Sequence, residues 1–188
     1  MIHAYDLVYL DPAQENLGVL FDYSINYLGF SLVSFYKRFL ESTMSNKFEN
    51  GDYSVIVGKS GIELAKDLFV DKFELKDYQP EKRSQEYWLG YSLAYFQWRI
   101  SLSFKTLNRY ITINELLLMY NPYHEMDIQQ FVSRVIEIYN ERKKMTNLQI
   151  MRLRAGMSRR ALSLLSEVPE RTIEQYEQKK EEHKQSQR

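Results

Sequence analysis

Residues 146–178 read TNLQIMRLRAGMSRRALSLLSEVPERTIEQYEQ, and three short helices separated by two tight turns can be parsed from this stretch directly. Thr146 followed by Gln149 forms a capping-box pattern that opens a first helix, with Leu148 and Met151 as its apolar positions. Ala155-Gly156 stops that helix, because glycine readily takes the left-handed conformation that closes a helix. Met157 is expected to pack back, while Ser158 caps a second helix bearing Leu162 and Leu165. A turn at Ser166-Glu167-Val168 leads to Pro169, which begins a third helix with Ile173 and Tyr176 inward. Two short helices joined by a tight turn, the last of them polar on its outer side, make a DNA-binding arrangement. On that reading Arg159, Arg160, Arg171 and Gln175 face the duplex.

The punctuation upstream is also that of helices. Asp11-Pro12 with Gln14 reads as a cap, a first-turn proline and a capping-box partner. Leu17, Leu20, Phe21, Ser24 and Leu28 then recur at helical spacing up to Gly29. Ser31 opens a helix with Leu32, Phe35, Tyr36, Phe39 and Leu40 on one face, and Ser60 with Glu63 caps another through Leu64 and Leu68. After a loop through Tyr78-Gln79-Pro80, Ser84 starts a long aromatic helix ending near Ser101, for which core packing is the expectation. Thr112 with Glu115 and Asp127 with Gln130 give two further capping boxes. Only Tyr53 to Val57 has the composition of a strand, and a single strand has nothing to pair with. The class is therefore all-α. The expected organisation is a helical body over residues 1–144 making protein contacts, a helix-turn-helix over 146–178 and a charged flexible tail over 179–188.

With 188 residues the chain is long enough for one domain or two small ones, and 44% hydrophobic with 27% charged residues is an ordinary globular composition. Cysteine is absent, which excludes disulfides and Cys-based zinc sites. No apolar run approaches the roughly 18 residues of a membrane span, and no signal peptide pattern opens the chain. A cytoplasmic protein without membrane association is expected. The net charge is zero but uneven. From Glu141 to Arg188 there are 12 Lys/Arg against 7 Asp/Glu, a net +5, which leaves the preceding residues at −5. A basic end on an acidic body is the asymmetry of a chain whose one end meets a polyanion.

The pattern Leu148, Met151-Arg152, Gly156-Met157-Ser158, Leu162, Leu165-Ser166, Val168, Thr172-Ile173 and Glu177 resembles the XRE (Cro/C1-type repressor) helix-turn-helix. The resemblance implies that Arg159, at the start of the second helix, contacts phosphate, and that Glu170, Arg171, Thr172, Glu174 and Gln175 hold recognition-helix positions. The stretches HAYDLVYLDPAQENLGVLFDYSINYLGF, SGIELAKDLF, EYWLGYSLAYFQW and NPYHEMD resemble the body of a family of small Firmicute and mobile-element proteins. That family places such a body before a C-terminal XRE domain and is known as regulators, often beside toxin–antitoxin genes.

Three departures bear on this. The turn glycine of the family is Glu167 here, which costs about 1 kcal/mol if that residue is left-handed. Glu170 and Glu174 set carboxylates where phosphates would approach. XRE domains usually continue with two more helices, whereas this chain runs into KKEEHKQSQR. A domain reduced in that way is expected to leave part of Leu148, Met151, Leu165 and Ile173 uncovered. Three readings stay open: a transcriptional regulator binding palindromic double-stranded DNA as a homodimer, an antitoxin masking a toxin partner, and an anti-CRISPR inhibitor binding a Cas ribonucleoprotein with the helix-turn-helix as a remnant.

Signals for catalysis or cofactors fail. Gly58-Lys59-Ser60 imitates the end of a phosphate-binding loop, but the glycine needed five residues earlier is Tyr53, and Ser60 reads as a helix cap. His124, Glu125 and Asp127 lie in a turn without metal-ligand spacing. No nucleophile or acid/base constellation stands out. A non-enzymatic protein without metal or cofactor is expected.

Overall fold

Local caps decide where the helices begin. A computed structural model describes residues 3–69 and 84–185. It is 77% helical, and no strand occurs among the described residues, so the chain is all-α as its sequence indicates. In chain order the helices are α1 (Leu10–Asp22), α2 (Leu32–Glu41), α3 (Thr43–Glu49), α4 (Tyr53–Ile56), α5 (Gly61–Leu68), α6 (Gln85–Ile100), α7 (Phe104–Tyr110), α8 (Ile113–Leu118), α9 (Tyr120–Tyr123), α10 (Ile128–Lys144), α11 (Asn147–Arg154), α12 (Arg159–Ser166) and α13 (Glu170–Gln185). Ser31, Ser84, Thr112 and Ser60 cap their helices through side-chain oxygens, the last two in full capping boxes with Glu115 and Glu63.

Two expectations are corrected. The segment at Tyr53 is not extended but forms α4, because Asp52 Oδ1 accepts from the Ser54 amide at 2.8 Å and starts a helical turn. Asp11 is not the cap of α1. A 3₁₀ turn over Leu7–Tyr9, capped by Asp6, feeds α1 from one turn earlier. Pro12 then sits in the first turn, where its missing N–H leaves no bond unmade. The loop expected at Tyr78-Gln79-Pro80 lies outside the described residues.

Contacts divide the chain into two compact units, residues 1–134 and 135–188, with the division inside α10. The first unit is organised on the pair α1 and α6, with α5 also against α1. These helices approach closely because Gly90 of α6 lies on the Leu17 carbonyl and the Gly18 Cα, leaving no room for a β-carbon. Leu17, Leu20, Phe21, Leu89, Leu93 and Phe96 are buried from this pair, and Phe35 and Phe39 of α2 join them. Phe21 meets Phe35 edge-on at 4.8 Å, a favoured aromatic geometry.

Half of the aromatic stripe of α6 is core: Tyr87, Phe96 and Trp98 are buried, while Trp88, Tyr91 and Tyr95 are half-buried. Trp98 Nε1 donates to the Tyr5 carbonyl at 2.8 Å, and His3 stacks on its indole at 3.8 Å, which ties the N-terminal segment to α6. The buried Asp22 side chain accepts from Ser84 Oγ and Asn26 Nδ2, each at 2.7 Å, so a polar group in the interior is held by donors rather than stranded. Ser60 serves as a cap, and the neighbouring Lys59 pairs with Asp67, so Gly58-Lys59-Ser60 is structural. No helix among the described residues is long and apolar enough to cross a membrane.

Candidate nucleic-acid interface

The second unit contains α11, α12 and α13, and its turns follow from their sequence. Thr146 Oγ1 accepts from the Gln149 amide at 3.2 Å and starts α11. At the other end Gly156 adopts φ +65°, the Gly156 amide donates to the Leu153 carbonyl and the Met157 amide to the Arg152 carbonyl. That pair of bonds is the Schellman closure, and it requires the left-handed residue that glycine supplies without strain. Ser158 Oγ accepts from the Ala161 amide at 3.0 Å and starts α12. Glu167 ends α12 at φ 57°, left-handed, in the place where a glycine would cost nothing. Pro169 then leads into α13, with the Ile173 amide donating to its carbonyl at 3.2 Å.

The three helices are held by one carboxylate. Glu177 of α13 exposes only 1% of its side chain. Its Oε1 accepts from Arg152 Nε at 2.7 Å, and its Oε2 accepts from Arg152 Nη2 at 3.2 Å and from Arg159 Nε at 2.8 Å. Arg152 also donates from Nη1 to the Met157 carbonyl at 2.7 Å, so the same guanidinium closes the turn after its own helix. Burial works against the charge on Glu177, yet the hydrogen bonds from Arg152 and Arg159 hold its carboxyl below the usual carboxylate range. The same bond to Glu177 stabilises the charge on Arg159. Helices α11, α12 and α13 thus meet at a charged clamp, where a hydrophobic core of this size would be small.

The expected interface residues separate into two sets. Arg160, Glu170, Arg171 and Gln175 are exposed, while Thr172 and Glu174 are half-buried. At about 100° per residue, positions 170, 171, 174 and 175 fall within about 140° of one another, so they share one side of α13. Arg159 differs. It is half-buried, points to Glu177, and places Nη1 3.9 Å from Glu174 Oε1, so it is first a packing residue of the clamp. Its contact also offsets one of the two carboxylates among the expected interface residues.

The apolar assignments need correction too. The buried residue of α11 is Ile150, while Met151 is 68% exposed and Leu148 is also exposed. Ile173 is buried, but Tyr176 is 56% exposed rather than inward. Leu162 is half-buried and Leu165 is exposed. Leu148, Met151 and Leu165 are thus uncovered, whereas Ile173 is closed off. Helix α13 continues to Gln185 through the segment read as a flexible tail.

The clamp is what the residue pattern under-read. Glu177 lies four positions after the inward Ile173, on the same side of α13. A carboxylate on an inward stripe demands a buried cation, and Arg152 and Arg159 were the candidates. Compared with family models, curated proteins and solved structures, the chain matches none of them.

Proposed function

We propose that this protein is a non-enzymatic regulator that engages double-stranded DNA through α12 and α13. The observation that carries the reading is the clamp of Arg152, Glu177 and Arg159. It fixes three short helices in a helix-turn-helix order and leaves Arg160, Arg171 and Gln175 free on the surface. Arg171 and Gln175 are side chains of the types that donate to guanine and adenine edges in the major groove. Arg160 supplies a phosphate contact of the kind that dominates affinity.

The test is a fluorescence titration of the full chain with duplexes, one from the region upstream of its own gene and one of unrelated sequence, across a range of salt concentrations. Binding that is tighter to the first duplex, and a salt slope that falls by about 2 when Arg160 and Arg171 are both replaced by alanine, supports the reading. No binding to either duplex at concentrations up to about 100 μM at low salt would overturn it, since even non-specific binding reaches that range.

One observation favours a second reading. Helix α13 sets Glu170 and Glu174 beside a single arginine of its own, Arg171, and even with Glu174 met by Arg159 the exposed Glu170 remains to oppose phosphates. A protein that occupies a basic nucleic-acid channel, such as an anti-CRISPR inhibitor of a Cas ribonucleoprotein, would use that carboxylate directly. Inhibition of purified effector by a chain that ignores duplex DNA would select this reading.

A further inference from the structure

Helix α12 is amphipathic, but its apolar side is turned away from the helix it packs on. Arg159 reaches Glu177 of α13, so position 159 marks the inward side of α12. At about 100° per residue, Leu162 lies about 60° from that direction, whereas Leu164 and Leu165 lie about 120° to 140° from it. Their exposures follow this geometry: Leu162 is half-buried, and Leu164 and Leu165 are 76% and 71% exposed. Two neighbouring leucines standing in water on the outer side of a helix mark a face that gains by being covered.

The charges beside these leucines identify what covers it. Arg160 and Glu167 are both exposed and stand seven residues apart, Arg160 in the first turn of α12 and Glu167 at its C-cap. The leucine face therefore has a positive charge at one end and a negative charge at the other. When two helices pair antiparallel, the N-terminal end of each meets the C-terminal end of the other. Two copies of α12 paired antiparallel about a two-fold axis near Leu164 bring each Arg160 to the end of the other copy that carries Glu167. A parallel pairing would bring the two arginine-bearing ends together and the two glutamate-bearing ends together.

We infer that the outer face of α12 is a self-association surface, on which a second copy of this chain docks antiparallel. Leu164 and Leu165 of both copies form its centre and two reciprocal Arg160–Glu167 pairs flank it. The face is isologous, as two-fold contacts are. It is also small, which places the dimer in the weak, concentration-dependent class. The inference stands on α12 alone and does not depend on DNA binding.

Sedimentation velocity of the full chain without DNA, from about 5 to about 500 μM, tests it. The weight-average sedimentation coefficient is expected to rise from monomer towards dimer across that range. Replacing Leu164 and Leu165 together by serine should abolish the rise while far-ultraviolet circular dichroism stays unchanged, because both side chains already stand in water. Arg160→Glu or Glu167→Arg alone should weaken the dimer by about tenfold or more, since each change creates two like-charge contacts. Both reversals together should restore it. A chain that stays monomeric throughout would overturn the proposal, and so would a dimer indifferent to the leucine pair. A double reversal no better than the single ones would overturn the antiparallel pairing.

Discussion

Arg159 Nε lies 2.8 Å from Glu177 Oε2, on the carboxylate that Arg152 grips through its other oxygen at 2.7 Å. The two arginines come from different helices and from opposite ends of the first turn, so the glutamate of α13 fixes the placement of both. The family resemblance would have the arginine at the head of α12 touch a phosphate, but here its guanidinium is directed to an internal anion. On the proposed reading, stability and DNA binding are therefore coupled at one residue. The chain keeps the helix-turn-helix together with a group that would otherwise add to its positive surface.

The clamp should be the chief local determinant of the second unit. Glu177→Gln keeps the shape of the side chain but removes the charge that two guanidinium groups require. The expected loss is about 3 kcal/mol, at the lower end for a buried pair because Arg159 remains partly in water. Hydrogen exchange of α11, α12 and α13 amides is the readout, with protection falling there and not in α1 or α6. The pH dependence has a definite sign. The Glu177 carboxyl is held below its usual range when folded, so its contribution is fully present above the unfolded value of about 4.3. It is lost as pH falls through the lower folded value. The difference between wild type and Glu177→Gln should be flat near neutrality and shrink below about pH 4.

Arg159 and Arg160 are neighbours in sequence and should behave differently. Arg160→Ala removes an exposed charge, so the duplex salt slope should fall by about 1 with stability unchanged. Arg159→Ala should instead destabilise α12 against α13, by about 1–2 kcal/mol given its partial exposure, with little change in salt slope once the unit is folded. Equal effects of the two substitutions on the slope would mean that Arg159 leaves Glu177 to meet phosphate.

The turn after α12 stores strain at one residue. Glu167 holds φ 57° without the freedom of glycine. Glu167→Gly should stabilise the turn by up to about 1 kcal/mol, less whatever the more flexible unfolded chain takes back. Slower hydrogen exchange at the C-terminal turn of α12 would report it. Destabilisation would show that the Glu167 side chain makes a contact worth more than the strain.

Helix starts were legible because a cap is a local event. Ser31, Ser60 with Glu63, Ser84, Thr112 with Glu115, Thr146 and Ser158 each bond to an amide two or three residues on, and no distant partner is needed. Which side of a short helix faces inward was not legible. Helix α12 spans little more than two turns, and its strongest apolar direction, through Leu164 and Leu165, points to solvent. In α11, Ile150 is buried in place of Leu148 and Met151. The clamp reversed the role of Arg159 for the same reason: its partner Glu177 lies 18 residues away, and only the fold brings them together. Tyr53 to Val57 has strand-like side chains, but the Asp52 cap starts a helical turn there, and no second strand among the described residues offers it a partner.

The close approach of α1 and α6 offers the sharpest test of the first unit. A β-carbon built on Gly90 would press on the Leu17 carbonyl group and the Gly18 Cα, all of them backbone atoms in the middle of a helix. Those atoms cannot rotate aside, so the two helices would have to separate along their length. A β-carbon on Gly18 would instead meet the edge of the Tyr87 ring, with Cε2 at 2.9 Å, and a side chain can shift by a few tenths of an ångström where a helix backbone cannot. Alanine has the better helix propensity by about 1 kcal/mol at either site, and that gain is common to both substitutions. The overpacking is not common to both. Gly90→Ala should cost about 3 kcal/mol net and Gly18→Ala about 1 kcal/mol or less, as read from urea unfolding of the full chain. The ordering is more informative than either value. Equal costs, or a larger cost at Gly18, would mean that α1 and α6 do not meet backbone to backbone at Gly90.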